Sequence, residues 1–204
     1  MEKSEKLQQL AKQIEICHSC GLYKNAKHSV PGEGNPESPI VFIGEAPGFN
    51  EDAQGRPFVG NAGKYLDNIL AKVGLERKDI FITNMVKHRP PENREPASSE
   101  LTSCNSWVEE QLKTIEPKII VALGRVSLNY FLPGAKISHV HGHPYRVQNY
   151  VVLPMYHPAA ALRSMHTATE LEDDFQKNKD LLINPLLGEK VTEIYQSSGQ
   201  ASLF

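Results

Sequence analysis

Three short segments, far apart in the chain, carry side chains suited to polar chemistry on a planar ligand. The first is Gly44-Glu45-Ala46-Pro47-Gly48, followed by Glu51 and Asp52 and then by Gly55-Arg56-Pro57-Phe58-Val59-Gly60. Two carboxylates repel a phosphate, and neither the G-x-G-x-x-G spacing nor a Gly-Lys-Ser/Thr loop is present. A carboxylate that orients water beside a ligand approached closely by backbone fits better, although the same residues also suit a solvated loop. The second segment contains Asn84, whose carboxamide offers one acceptor and two donors and so matches an imide edge with one N–H and one C=O. Asparagine is equally a turn former. The third is His157-Pro158-Ala159, where the imidazole can serve catalysis, cap a helix or fill a core.

A fourth set has metal-ligand chemistry. Cys17-His18-Ser19-Cys20 places two thiols three residues apart, and Cys104 is the third and last cysteine. An odd count argues against a disulfide framework and for a metal site.

The elements that must position these residues follow from hydrophobic period. Leu7, Leu10, Ala11, Ile14 and Ile16 give a helix over residues 3–16 that delivers Cys17 at its end. The run 40–43 reads as a buried strand, and Asn61 opens a helix through Val73 with Ala62, Tyr65, Leu66, Ile69 and Leu70 inward. The pattern repeats as strand 80–83, a proline-rich loop 88–96, helix 98–115, strand 118–123, helix 125–131, a hairpin around 142–150, strand 151–155 and a last helix 170–183. Strands alternating with helices predict an α/β fold of three layers, α/β/α, around a central, mostly parallel four-stranded sheet. Gly44-Glu45, Asn84 and Tyr156-His157 then all follow strands, at the carboxyl edge where ligands bind in such sheets.

Together, Gly44-Glu45-Ala46-Pro47-Gly48, the segment from Gly55 to Gly63, Thr83-Asn84-Met85-Val86-Lys87 and His157-Pro158-Ala159 resemble the family 4 uracil-DNA glycosylases over residues 17–182. The resemblance implies an enzyme that releases uracil from single- or double-stranded DNA and leaves an abasic site. It implies Glu45, Glu51 and His157 as catalytic residues, with either carboxylate able to lead. It implies that Ala46, Phe58, Asn84 and His157 bind uracil, and that Arg163 contacts DNA, though an exposed helix arginine would look the same. It also implies a [4Fe–4S] cluster on four cysteines. Here His88, in Lys87-His88-Arg89-Pro90-Pro91, stands where the third cysteine is expected, so the ligand set becomes Cys17, Cys20, His88 and Cys104. Imidazole can replace thiolate on cluster iron, and the same four suit structural zinc. Histidine at this position also resembles related glycosylases that trap uracil-DNA covalently, but their inserted Lys-Arg-Arg-Ile-His loop has no counterpart in residues 89–98. Turnover is therefore expected, with a non-catalytic or covalently trapping uracil-DNA-binding protein as the alternative.

With 204 residues, 40% hydrophobic and 23% charged, the chain suits one soluble domain rather than a disordered or membrane protein. Lacking a signal peptide or an apolar span, it is expected to be cytoplasmic and monomeric. A net charge of −2 does not advertise nucleic-acid binding, nor does it oppose a local basic strip. Residues 1–183 form the expected domain and 184–204 a flexible tail. The tail ends in Gln200-Ala201-Ser202-Leu203-Phe204, which resembles the bacterial sliding-clamp-binding pentapeptide; Gln200, Leu203 and Phe204 are its anchor positions.

Overall fold

A computed structural model of the chain describes residues 2–195. The amphipathic helix α1 (Lys3–Glu15) leads through a 3-10 turn to a two-residue strand β1 (Glu33–Gly34). Next come β2 (Ile40–Gly44), the short helix α2 (Phe49–Gln54), α3 (Asn61–Val73), β3 (Phe81–Asn84) and α4 (Ser98–Ile115). Then follow β4 (Ile119–Leu123), α5 (Arg125–Phe131), α6 (Ile137–Val140), β5 (Tyr145–Val147), β6 (Tyr150–Met155), α7 (Pro158–Ala161), α8 (Met165–Lys177) and α9 (Lys179–Ile183).

The strands form one sheet in the order β1-β3-β2-β4-β6-β5. The inner four are parallel, while β1 and β5 pair antiparallel at the two edges. The expected four-stranded parallel sheet is thus the centre of a six-stranded one. The edge strand β5 lies within the hairpin expected around 142–150, whereas β1 escaped sequence reading because two residues carry no measurable alternation. From β2 the chain crosses to β3 on one side and then to β4 on the other. A crevice therefore opens at the carboxyl ends of the inner strands, where the order reverses.

Every residue of β2 and β4 is buried, as expected of strands covered on both faces. Phe42, Val121 and Leu153 pack on one side with Leu66, Ile69 and Leu70 of α3 and Leu171 and Phe175 of α8. Val41, Ile43, Ile120 and Val152 pack on the other with Val108 and Leu112 of α4 and Leu128 and Phe131 of α5. Three layers result, as the alternation of elements predicts.

Three differences from the expected elements have physical causes. The loop between β2 and α3 contains α2, too short for periodicity and defined by its caps: Glu51 accepts from Gly48 N at 3.1 Å, and Gly55 ends the helix at φ +67°. The last helix begins five residues early, where Ser164 Oγ accepts from Thr167 N, and it breaks at Asn178, whose Nδ2 donates to Gly142 O and Asp174 O. The chain does not leave the domain at Asn184 either. Leu187 and Val191 pack on the core, Arg146 N donates to Glu193 O at 2.7 Å, and the Tyr195 ring meets Tyr145 edge-on. Gln200, Leu203 and Phe204 lie outside the described residues.

Candidate active site

The carboxyl ends of β2, β3 and β6 surround a cavity of about 400 Å³. Its walls include Glu45, Ala46, Glu51, Phe58, Asn84, His157 and Arg163, which the sequence spreads over more than a hundred positions. All the expected catalytic, uracil-binding and DNA-contact residues therefore meet in one place. Ala62, Pro90, Asn93, Arg94 and Ala160 also line it, and sequence reading missed these. A signal existed for Pro90, Asn93 and Arg94, because the proline-rich loop follows a strand at the same edge of the sheet.

The two carboxylates have different surroundings. Glu51 Oε1 accepts from Val59 N at 2.9 Å and Gly60 N at 2.8 Å, while Oε2 accepts from Gly48 N. Three backbone donors thus tie Glu51 to the two ends of the loop that carries Phe58. Glu45 O accepts from Val86 N at 3.2 Å, but its carboxylate has no hydrogen-bond partner among the described residues. Burial pushes its carboxyl above the usual carboxylate range, the Glu95 charge adds to this, and Arg125 opposes it.

Phe58 is buried at the cavity floor with φ +52°, a left-handed conformation that costs a bulky residue of order 1–3 kcal/mol. Its neighbours over-determine that conformation. Arg77 donates to Phe58 O at 2.8 Å and to Pro57 O at 2.6 Å, and is itself held by Asp67 and Glu33. Helix α3 approaches so closely that a Cβ on Gly63 would collide with the Phe58 carbonyl. A Cβ on Gly44 would in turn come within 2.6 Å of the Phe58 ring and strike Asn84 Oδ1. Only glycine lets the end of β2 lie against both groups.

Asn84 is buried, and its Oδ1 has no hydrogen-bond partner among the described residues. A buried acceptor without a donor is costly, of order 1–3 kcal/mol, unless a ligand supplies one. The backbone behind it is fixed by Lys87, whose buried ammonium donates to Asn84 O at 2.8 Å, Thr83 Oγ1 at 2.7 Å and Gln111 Oε1 at 2.8 Å. Burial pushes the Lys87 pKa down to about 7.

His157 caps α7: its Nδ1 accepts from Ala159 N at 3.1 Å. An Nδ1 that accepts leaves the proton on Nε2, so the ring presents a donor. Burial, followed by the Arg163 charge, lowers the His157 pKa to about 4 against a weaker pull from Glu51, so the ring is neutral at pH 7. The His157 and Phe58 rings lie 5.7 Å apart between centroids and nearly parallel, too close to admit a base between them.

On the far side of β3, Cys104 packs with Cys20, Leu22 and Val86, and Trp107 Nε1 donates to Cys17 Sγ at 3.3 Å. Burial pushes the Cys104 thiol up to about 11, and the nearby Cys20 and Cys17 add to this. The three thiols are thus neighbours. His88 opens with Cys17 onto a second cavity. Among the described residues, however, no group of three or more His, Cys, Asp or Glu side chains converges as one metal ion requires. Tetrahedral zinc needs that convergence, whereas a cubane spaces its ligands around its corners. The three neighbouring thiols are soft donors of the kind that hold an iron–sulfur cluster or zinc.

A parallel α/β sheet with its polar residues gathered at the carboxyl edge defines the class, and the chain belongs to the uracil DNA glycosylase superfamily, whose sequence model matches residues 31–181. Within it, the chain is similar to three proteins named type-4 uracil-DNA glycosylase. That of Sulfurisphaera tokodaii is 43% identical over 191 residues, covering 89% of this chain and 87% of the relative. That of Saccharolobus solfataricus is 44% identical over 188 residues, covering 87% of each. That of Archaeoglobus fulgidus is 40% identical over 200 residues, covering 94% of this chain and 98% of the relative.

Proposed function

We propose that the chain is a monofunctional glycosylase that hydrolyses the N-glycosidic bond of deoxyuridine in single- or double-stranded DNA. The observation that carries this reading is the convergence of Glu45, Phe58, Asn84 and His157 on one cavity. A target base extruded from the stack loses its neighbours, and the Phe58 face replaces them. Asn84 Oδ1 accepts from uracil N3–H while its amide donates to O4, and His157 Nε2–H donates to O2. As the C1′–N1 bond breaks, its electron pair passes to uracil, whose growing charge at O2 the histidine donor stabilises. Glu45 faces the cationic sugar and takes a proton from the water that forms the new bond at C1′. Glu51 holds the Phe58 loop through its three backbone contacts. Arg163 suits a contact to the DNA strand at the cavity wall. The test is release of labelled uracil from an oligonucleotide, followed by alkaline cleavage at the abasic site. A protein–DNA adduct stable to denaturant, with uracil released only once per protein and no free abasic product, would instead support covalent trapping, though the loop residues lining the cavity, Pro90, Asn93 and Arg94, include no histidine.

Because Asn84 exchanges a donor for an acceptor on conversion to aspartate, Asn84→Asp is expected to weaken uracil excision and to raise cytosine excision relative to it. Asn84→Ala is expected to lose ~10-fold or more, from the unpaired imide edge. Wild-type rates in Asn84→Ala would remove its reading role.

The arrangement of the thiols supports a [4Fe–4S] cluster on Cys17, Cys20, His88 and Cys104. When bound it ties the end of α1 to the loop after β3 and to α4, a structural contribution coupled to folding. The purified protein is expected to be brown, with iron and sulfide in equal amounts, and Cys104→Ser is expected mainly to destabilise the fold. One zinc and no iron after anaerobic preparation would overturn the assignment.

We place the protein in the cytoplasm as a monomer; its cysteines are unpaired, as a reducing compartment keeps them. No helix among the described residues is long and apolar enough to cross a membrane. The terminal Gln200-Ala201-Ser202-Leu203-Phe204 supports binding to a sliding clamp, with Leu203 and Phe204 as apolar anchors. Deleting residues 200–204 is expected to abolish clamp binding in a pull-down while short oligonucleotides are cut at the wild-type rate; equal clamp binding by the truncated chain would refute this.

A further inference from the structure

Beside the cavity stands a feature that the proposed reaction does not use. Phe49, the first residue of α2, directly follows Gly48 of the cavity wall, and its ring is 65% exposed. The Arg89 guanidinium lies over that ring, 5.2 Å from its centroid. Arg89 Nε also donates to Asn93 Oδ1 at 2.7 Å, and Asn93 lines the cavity. Glu92 and Asn93 both adopt positive φ, +55° and +56°, a costly turn that presents the Asn93 side chain to Arg89. Two loops from different strands thus hold a ring and a planar cation together at the cavity rim.

The charges nearby are unequal in their pairing. Arg94 is bound by Glu100 and Arg125 by Glu95. Arg89 has no carboxylate partner among the described residues, only the neutral Asn93 and the Phe49 ring. A free cation stacked on a single exposed aromatic suits a planar, anionic polymer. An apolar protein surface would instead call for a contiguous apolar patch, whereas Phe49 shares its part of the rim with the charged Arg89 and with Asn93.

We propose that Phe49 and Arg89 form a second base-binding subsite that stacks the nucleobase adjoining the extruded uracil. This rests on the uracil-DNA reading of the cavity and extends it to the neighbouring nucleotide. When one base leaves the stack, the next loses a partner on one side, and an exposed aromatic face replaces it. Such stacking tolerates any sequence, because every base has a π face, and contributes about 1–3 kcal/mol per base. The Arg89 cation adds to it and faces the strand's phosphates.

The test uses the full chain and a single-stranded oligonucleotide with one 2′-fluoro-deoxyuridine, whose fluorine disfavours the cationic sugar and prevents cutting. Phe49→Ala is expected to bind this probe ~10-fold more weakly than wild type, and Phe49→Trp at least as tightly as wild type. With both flanking bases replaced by abasic sites, wild type should lose a similar factor, and Phe49→Ala should lose nothing more. Equal binding of the intact probe by wild type and Phe49→Ala would overturn the subsite. So would an unchanged Phe49→Ala deficit on the abasic-flanked probe. Inhibition by free uracil reports the cavity alone and should be the same in both proteins. A wild-type chain that neither binds the probe nor releases uracil would overturn the cavity reading, and the subsite with it.

Discussion

Glu45→Gln is expected to lower the single-turnover rate of uracil excision by ~10² or more while leaving affinity for uracil-DNA nearly unchanged, because the lost contact is to charge that develops only as the bond breaks. The choice of Glu45 over Glu51 rests on free lone pairs. Three backbone N–H groups occupy Glu51, whereas the Glu45 carboxylate lines the cavity with no hydrogen-bond partner among the described residues. The substitution keeps size and removes charge, so a folding defect does not explain a lost rate. The ionised form is the active one, and burial raises the Glu45 pKa. The rate should therefore fall on the acid side at a pH above the ordinary glutamate range, and that limb should vanish in Glu45→Gln. Near-wild-type single-turnover rates in the variant would remove Glu45 from the mechanism.

His157→Ala is expected to cost a further factor of similar size, ~10²–10³, the usual loss for one donor to a developing oxyanion. Its pH behaviour separates a neutral donor from an imidazolium. The folded pKa is lowered to about 4, against roughly 6.5 for histidine in an unfolded chain. Between those values the unfolded chain binds the extra proton and the native one does not, so this residue's contribution to stability is full above the unfolded value and is lost as pH falls towards 4. Urea titrations at pH 7 and pH 5 should show a larger drop for wild type than for His157→Gln. Equal drops, with wild-type excision by the variant, would contradict both the protonation state and the role.

The hydrophobic runs 40–43 and 118–123 and the helical spacing of Ala62, Leu66, Ile69 and Leu70 are local signals. From them the parallel centre of the sheet and its covering helices were legible. So was the grouping of Glu45, Asn84 and His157, because residues that follow parallel strands share one edge whatever the rest of the chain does. The edge strand β1 and helices α2, α6 and α7 were not legible, since each is held by caps, pairing or tertiary contacts rather than by period. The ordered path through Tyr195 depends on Arg146 and Tyr145, more than forty residues away.

By itself the sequence determined which side chains reach the carboxyl edge of the sheet, since strand direction and the residue after each strand are properties of the chain. Only the tertiary structure decided their chemistry. Glu45 and Glu51 are the same residue type in one loop, and what separates them is where three backbone N–H groups lie after folding. The imidazole of His157 presents Nε2–H because Ala159 N occupies Nδ1, and Phe58 keeps a strained φ because Arg77, nineteen residues on, grips its carbonyl. Hydrogen-bond partners and burial set charge, tautomer and strain, and both are fixed by contacts that no local pattern encodes.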